Sequence, residues 1–286
     1  MPRLLQSYRL SKLSGRVLIY TFLILGGLVS FFPFAWMVST SFKTPAQALN
    51  LPIRWIPDPV TWVNYQSVWA RFNFARYFSN TMIISVSVTV LSVVFCSLAG
   101  YAFAKKRFWG RELIFNLLLA TMTIPGAVLM TPLFIIILKL GMLNKFLGII
   151  IPFCVGVSNI FLMRQYISTI PSELEEAARI DGAGELTIWW RIIVPLSVPA
   201  AATVAIFSFV GAWDGFLWPL IVLKNKEMWT LNVALGLLQS EYIASEASPW
   251  GILMAGSLVV TLPLVVVFLL LQRYFMRGLV IGAVKG

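Results

Sequence analysis

Five of the eleven acidic residues in this 286-residue sequence fall in one short stretch, at Glu173, Glu175, Glu176, Asp181 and Glu185. Clustered carboxylates are raw material for metal binding and for general acid–base chemistry, and both usually recruit histidine. The chain has none, which removes imidazole ligands, catalytic triads and imidazole proton relays. Its two cysteines, Cys96 and Cys154, each lie inside an apolar run and read as small buried hydrophobes, not as a CxxC site or a disulfide scaffold. No stretch fits GxxxxGK[ST], so the chain carries no P-loop of its own. No catalytic residue, metal ligand or cofactor site is expected. The chemistry open to the acidic stretch is that of a charged surface and of helix ends.

A helix start is legible at Pro171-Ser172-Glu173-Leu174-Glu175. Ser172 is placed to cap it, Glu175 to close a capping box, and the acids suit the positive end of the helix dipole. Leu174, Ala177 and Ala178 then share one face by their spacing, and Gly182 is placed to end or bend the helix. A second helical stretch, Glu185–Val194, leads to Pro195. Two short helices joined at a glycine bend, with small apolar residues on one face, suit the groove of another protein. An amphipathic linker lying along a membrane surface accounts for the same pattern, although the acids disfavour an anionic leaflet.

The elements that carry this stretch are apolar. Hydrophobic residues make up 59% of the chain and charged ones 12%, and the mean hydropathy is +0.86. A soluble domain carries roughly 25% charged residues. Six apolar runs, at about 17–38, 81–104, 113–138, 146–163, 200–223 and 252–271, have the length a helix needs to cross a bilayer. The expectation is an all-α integral membrane protein, one transmembrane domain over 1–286 with six helices. The first run follows Arg3, Arg9, Lys12 and Arg16 and lacks a small-residue cleavage site, so it reads as a signal anchor.

Fourteen Lys and Arg fall on the side of the two termini and eight on the other, and the short loop Lys105–Arg111 discriminates most. The positive-inside rule therefore puts both termini in the cytoplasm and the 164–199 loop with them. The net charge of +11 reports this topology, not nucleic acid. The outer connections 39–80 and 224–250 are rich in tryptophan, at Trp55, Trp62, Trp69, Trp229 and Trp250. Prolines fall in five of the six runs, at Pro33, Pro125, Pro132, Pro152, Pro219 and Pro263, and either kink ordinary membrane helices or shape a cavity. The small-residue patch Ala99, Gly100, Ala102 and Ala104 suits close helix contact. Asp214 is the only acidic residue within a run, beside Trp213, Phe216 and Trp218; a carboxylate among aromatic faces suits sugar hydroxyls and C–H surfaces, while a packing partner is the plainer role. Asn159 is a further candidate for a cavity wall.

Glu176-Ala177-Ala178, three residues, Gly182, nine residues and Ile192-x-Val194-Pro195 resembles the EAA motif of ABC-importer permeases, with Val194 where that pattern has leucine. The fuller string from Glu175 to Ala183 is similar to the carbohydrate-uptake branch, the group containing the second permease of the maltose transporter. The resemblance extends over Ala99 to Ala104, Arg164-Gln165-Tyr166, Trp213 to Pro219 and the tail from Gly278 to Gly286.

This resemblance implies a type I ABC-importer permease fold in a bacterial or archaeal cytoplasmic membrane. It implies that Glu176, Ala177, Ala178, Asp181 and Gly182 couple to an ATPase, and that Gly282, Lys285 and Gly286 form a second, tail contact. The implied partners are two copies of a cytosolic P-loop ATPase, which bind the ATP and magnesium, a second homologous permease in a heterodimer, and an extracytoplasmic solute-binding protein. The solute would be a sugar or oligosaccharide. A non-sugar solute such as a glycerol phosphate, or an ion-coupled secondary transporter, are the alternatives.

Overall fold

The computed structural model describes residues 2–49, 52, 54–71, 73–244 and 250–283, the outermost of them by backbone alone. Every regular element among them is helical. In chain order they are α1 (Pro2–Ser41), α2 (Pro45–Leu49), α3 (Val63–Arg71), α4 (Phe74–Lys105), α5 (Arg111–Thr121), α6 (Gly126–Lys139), α7 (Leu147–Phe153) and α8 (Val157–Ser168). Then follow α9 (Glu173–Ile180), α10 (Glu185–Ile188), a π-turn (Trp189–Ile193), α11 (Val194–Leu196), α12 (Val198–Trp213), α13 (Leu217–Val222), α14 (Leu231–Ala244) and α15 (Trp250–Ala283).

Three helices are long and apolar enough to span a membrane unbroken, over Arg16–Ser41, Phe74–Lys105 and Trp250–Leu270. Three more helix pairs pass the same test of length and composition only when joined across a bend, α5 with α6 at 104°, α7 with α8 at 41°, and Glu185–Leu196 with α12 at 82°; in the last pair α12 is the apolar limb. Chemistry explains which prolines break a span. Pro125 has no N–H to give to the turn before it and sits in extended geometry (ψ 131°), so α5 ends and α6 starts afresh. Pro33 and Pro263, by contrast, lie inside the continuous helices α1 and α15. The fifth expected run, 200–223, is two helices, because the chain leaves α12 at Asp214 and re-enters helix at Leu217.

Two compact units divide the chain, 1–72 with 238–259, and 73–237 with 260–286. In the second, α4 is the hub, packing against α8 and α12. Gly100 makes that approach possible: a Cβ there would lie 2.6 Å from the Met163 Cβ and 2.9 Å from the Arg164 backbone nitrogen. The small-residue patch thus serves the close contact expected of it. Cys96, Ile160, Met163, Ile167 and Val204 form the buried cluster around this crossing. Both cysteines are free thiols, Cys96 buried and Cys154 half-buried.

In the first unit the apolar side chains of α1 from Val17 to Phe34 stand exposed, a surface for lipid or another membrane chain to cover. Beyond it the chain is tied down by Asn64, whose side-chain nitrogen donates to the carbonyls of Ser41 at 2.8 Å and Lys43 at 2.7 Å. The Ser41 and Tyr65 hydroxyls meet at 2.9 Å, and Phe42 meets Trp62 edge-on. Gly251 lies against Asn64 so closely that a Cβ would sit 2.5 Å from the amide nitrogen.

Candidate functional site

The acidic stretch folds as α9, a tight end, and the α10 to α11 helix. The end is a Schellman motif: the Ala183 N–H bonds the Ala178 carbonyl at 2.9 Å and the Gly182 N–H bonds that of Arg179 at 3.0 Å. Gly182 takes φ +81°, the left-handed conformation that glycine enters without penalty.

The start differs from the expected capping box. Ser172 is itself helical (φ −74°, ψ −19°) and makes no cap bond; its hydroxyl lies 3.2 Å from Lys105 Nζ instead. Glu175 cannot close a box because its carboxylate is committed elsewhere. It is 3% exposed, and its Oε2 accepts from the Tyr101 hydroxyl at 3.0 Å, Lys106 Nζ at 3.2 Å and Arg179 at 3.3 Å. Glu185 joins the same knot, sharing the one Tyr101 hydroxyl proton with Glu175 at 3.0 Å and accepting from Arg179 Nε at 3.2 Å and from Lys106. Two carboxylates, two cations and one phenol therefore clamp the acidic stretch to the end of α4. Charge-assisted bonds of this kind are stronger than neutral ones and hold geometry well.

With Glu175 turned inward, Glu176, Ala177, Asp181 and Gly182 face out, together with Leu174 (43% exposed), Ile180 (86%) and Leu186 (73%). Ala178 does not share that outer face: it is half-buried and packs on the α4–α8 core. Ile180 and Leu186 escaped the sequence reading because neither lies on a periodic apolar stripe. The outcome is an acidic rim around exposed aliphatic side chains. Beyond it the π-turn carries Trp189 and Trp190 with their ring centroids 5.7 Å apart, and the chain bends by 82° into α12. Pro199 has no N–H to continue the ladder there, so α9 and α10 do not run straight into the fifth span.

The Lys106 bond, supported by the one from Tyr101, holds the Glu185 carboxyl below the ordinary carboxylate range, against the opposing effect of partial burial. A depressed native value means that this carboxylate stabilises the fold above the ordinary value of 4.5 and ceases to do so as pH falls through its native value. Thermal unfolding of the purified chain from pH 7 downward is expected to show wild type losing more stability than Glu185→Gln, with the curves converging in acid.

Apart from this surface, the second unit holds a pocket of about 330 Å³ lined chiefly by Phe153, Asn159, Phe207, Ser208, Gly211 and Trp218. Asn159 is 8% exposed and donates to the hydroxyls of Ser92 at 3.1 Å and Ser208 at 3.0 Å. Trp218 is fixed by a bond from its indole nitrogen to the Gly148 carbonyl at 3.1 Å, with Phe153 edge-on. Two of the five expected path residues, Asn159 and Trp218, thus meet in one pocket.

The other three do not line it. Trp213 is fully buried, bonded to the Val260 carbonyl at 3.0 Å and stacked on Phe209, so it packs helices together. Asp214 terminates α12, is exposed, and makes no side-chain bond or ion pair among the described residues. It stands at a helix end. The Phe216 ring covers Gly236, where a Cβ would lie 2.5 Å from it. Phe207 and Ser208 stand just before the Trp213–Pro219 motif on α12, whereas Ser92 lies far from it in sequence, and the packing of α4, α8 and α12 brings their helices together.

On the opposite loops, Asn144 takes φ 57° and its side-chain oxygen accepts from the Lys224 and Asn225 amides at 3.0 and 2.9 Å. Asn80 holds the carbonyls of Glu227 at 2.8 Å and Trp229 at 3.0 Å. Of the expected tail contacts, Gly282 lies in the last turn of α15, while Lys285 and Gly286 lie outside the described residues.

The model of the family described as "Binding-protein-dependent transport system inner membrane component" matches residues 92–281, from within α4 to the end of α15. An arabinooligosaccharides transport system permease protein (AraQ) of Halalkalibacterium halodurans is 37% identical, over 90% of this chain and 92% of its own. A lactose transport system permease protein (LacG) of Rhizobium radiobacter is 33% identical, over 93% and 95%. A crystal structure of a bacterial ABC transporter involved in the import of the acidic polysaccharide alginate contains a chain that superposes with a TM-score of 0.80 at 27% identity, over 91% of this chain and 95% of that one.

Proposed function

The chain belongs to the family of binding-protein-dependent transport system inner membrane components, and from that premise we propose that it conducts a neutral sugar or oligosaccharide through a bacterial cytoplasmic membrane, driven by ATP hydrolysed on other subunits. One observation carries the sugar reading: a pocket that pairs the aromatic faces of Trp218, Phe153 and Phe207 with the amide of Asn159 and the hydroxyl of Ser208. Aromatic faces suit the C–H surface of a sugar ring, and convergent polar groups suit its hydroxyls. No Lys or Arg lines the pocket, which disfavours a glycerol phosphate. An ion-coupled carrier would need buried acids, and Asp214 is exposed.

The coupling surface is the outer face of α9 and its Schellman end. Glu176, Ala177, Asp181 and Gly182 meet a groove on one of two cytosolic P-loop ATPases, the other being engaged through a second, homologous permease. Closure of the ATPases moves α9, and the Glu175–Lys106–Tyr101 knot carries that displacement to the end of α4, which lines the pocket through Val88. An external binding protein delivers solute to the outward-open state. Such coupling requires that ATP and loaded binding protein favour different states from those favoured without them.

Affinity purification of the tagged chain from native membranes, with mass spectrometry of its partners, tests the assembly. Recovery of a P-loop ATPase, a second permease and a solute-binding protein is expected. Uptake by cells carrying Asn159→Leu tests the pocket: KM for the sugar should rise by about tenfold, the scale of one or two lost hydrogen bonds. Recovery of the chain alone, or an unchanged KM, would overturn the corresponding part.

A further inference from the structure

The short connection between α4 and α5 carries the most exposed large apolar side chain among the described residues, Trp109 at 95%. The same loop bounds a shallow cleft of about 420 Å³, lined chiefly by Arg107, Phe108, Arg111, Glu112 and Leu113. Neither feature belongs to the coupling face of α9 or to the pocket around Asn159. An indole standing wholly in water leaves its apolar faces wet, and such a side chain favours the membrane–water interface.

The charges around the cleft do not cancel. Lys106 is engaged by Glu175 and Glu185. Glu112, the one carboxylate in the cleft, serves two guanidiniums, those of Arg111 at 2.8 Å and Arg164 at 2.9 Å. That trio keeps one positive charge. Arg107 is exposed, makes no hydrogen bond or ion pair among the described residues, and adds a second. Lys105 adds a third nearby, because its ammonium reaches the Ser172 hydroxyl and the Ile170 carbonyl, neither of them charged. Arg111 is held in place by a bond to the Lys106 carbonyl at 3.0 Å, and Arg164 lies 3.8 Å over the Phe115 ring.

The loop leaves the last turn of an unbroken span and opens α5, where Leu113 (63% exposed), Ile114 (44%) and Leu117 (60%) form an outward apolar face. The distribution of Lys and Arg puts this loop on the cytoplasmic side. Cations and indole therefore stand at the level of lipid headgroups, directly beside a face that suits acyl chains. We propose that the α4–α5 loop binds one anionic phospholipid of the inner leaflet. Its phosphodiester lies between Arg107 and Arg111, Trp109 stands beside the glycerol esters, and an acyl chain runs along Leu113 and Leu117. A free phosphate makes no use of the apolar face, and an acyl chain alone leaves Arg107 without an anion. A zwitterionic headgroup brings a cation of its own to a site already positive and fits less well. The inference rests on topology and charge, and stands apart from the identity of the solute.

The test uses the complete transporter, purified with its partners and placed in phosphatidylcholine nanodiscs. Phosphatidylglycerol with a diazirine on its headgroup is the probe, added as a minor component, with cross-links mapped by peptide mass spectrometry. Label is expected on the peptides covering residues 105–113, displaced by untagged phosphatidylglycerol and not by soluble glycerol 3-phosphate. Phosphatidylcholine carrying the same tag should label them weakly. Label should fall about fivefold in Arg107→Gln, the scale of one basic side chain at an anionic surface, and largely persist in Arg107→Lys. Label elsewhere on the chain serves as the reference, and size-exclusion profiles confirm that both variants assemble. Equal label from the two lipids, or equal label in wild type and Arg107→Gln, would overturn the proposal, as would displacement by glycerol 3-phosphate. Label that appears only once the ATPases are stripped away would assign the patch to a protein contact and overturn it too.

Discussion

Gly182→Val is expected to lower solute uptake by at least tenfold while the chain still inserts, assembles and supports ATP hydrolysis. The cause is conformational. Gly182 sits at φ +81°, and a β-branched residue there costs roughly 1–3 kcal/mol. No atom lies within 4 Å of the position a Cβ would take, so the substitution creates strain without a clash in this chain. The strain is relieved by undoing the two Schellman bonds, which tips the α9 end out of its docking shape. About 2 kcal/mol is enough to leave the competent loop only a few per cent populated. Uptake of labelled sugar in vesicles, measured beside ATP turnover of the same complex, reads this out. Gly182→Ala should fall between the two, and an uptake equal to wild type in Gly182→Val would count against the coupling role.

Glu175→Ala is expected to give the largest loss of stability of any single change at the acidic stretch, on the order of 3 kcal/mol, the cost of breaking a buried ion pair from one side. Removing the carboxylate strands Lys106, which is 24% exposed at its side chain, and takes the Tyr101 bond with it. Glu185 remains to compensate in part, so Glu175→Ala with Glu185→Ala should be worse than the sum of the two single changes. Glu175→Gln keeps the shape and some of the bonding and should be milder. The midpoint of thermal unfolding of the detergent-solubilised chain measures all of these. A midpoint unchanged in Glu175→Ala would show that the knot does not hold α9 to α4.

Helix ends and loops were the legible part of the sequence, because their signals are local. Gly182 announces a left-handed turn whatever surrounds it, and the EAA spacing lies on contiguous residues. The capping box failed for a reason no local pattern contains: Tyr101 and Lys106, distant in the chain, offer Glu175 better partners than a helix N-terminus does. The two tryptophans of the Trp213–Pro219 motif divide for a similar reason. The chain breaks at Asp214, so Trp213 stays with the buried face of α12 while Trp218, on α13, turns to the pocket. Asn159 was visible as a polar residue in an apolar run, but its meaning depended on Ser92 and Ser208, which lie on two other helices.

The hub position of α4 has a consequence for how the protein is made. One face of that helix carries Ser85, Ser92 and Gly100, all buried, and the helix packs against α8 and α12, which come later in the chain. A ribosome delivers α4 to the membrane well before α8 and α12 exist. For that interval the serine face has no protein to cover it, and lipid is a poor substitute for a hydroxyl-bearing surface. Burial of that face is complete only when residues near 160 and then 200 arrive to close over it. Nascent chains halted between these points would display an unfinished polar stripe within the bilayer, a mark by which membrane quality control can tell an incomplete copy from a finished one.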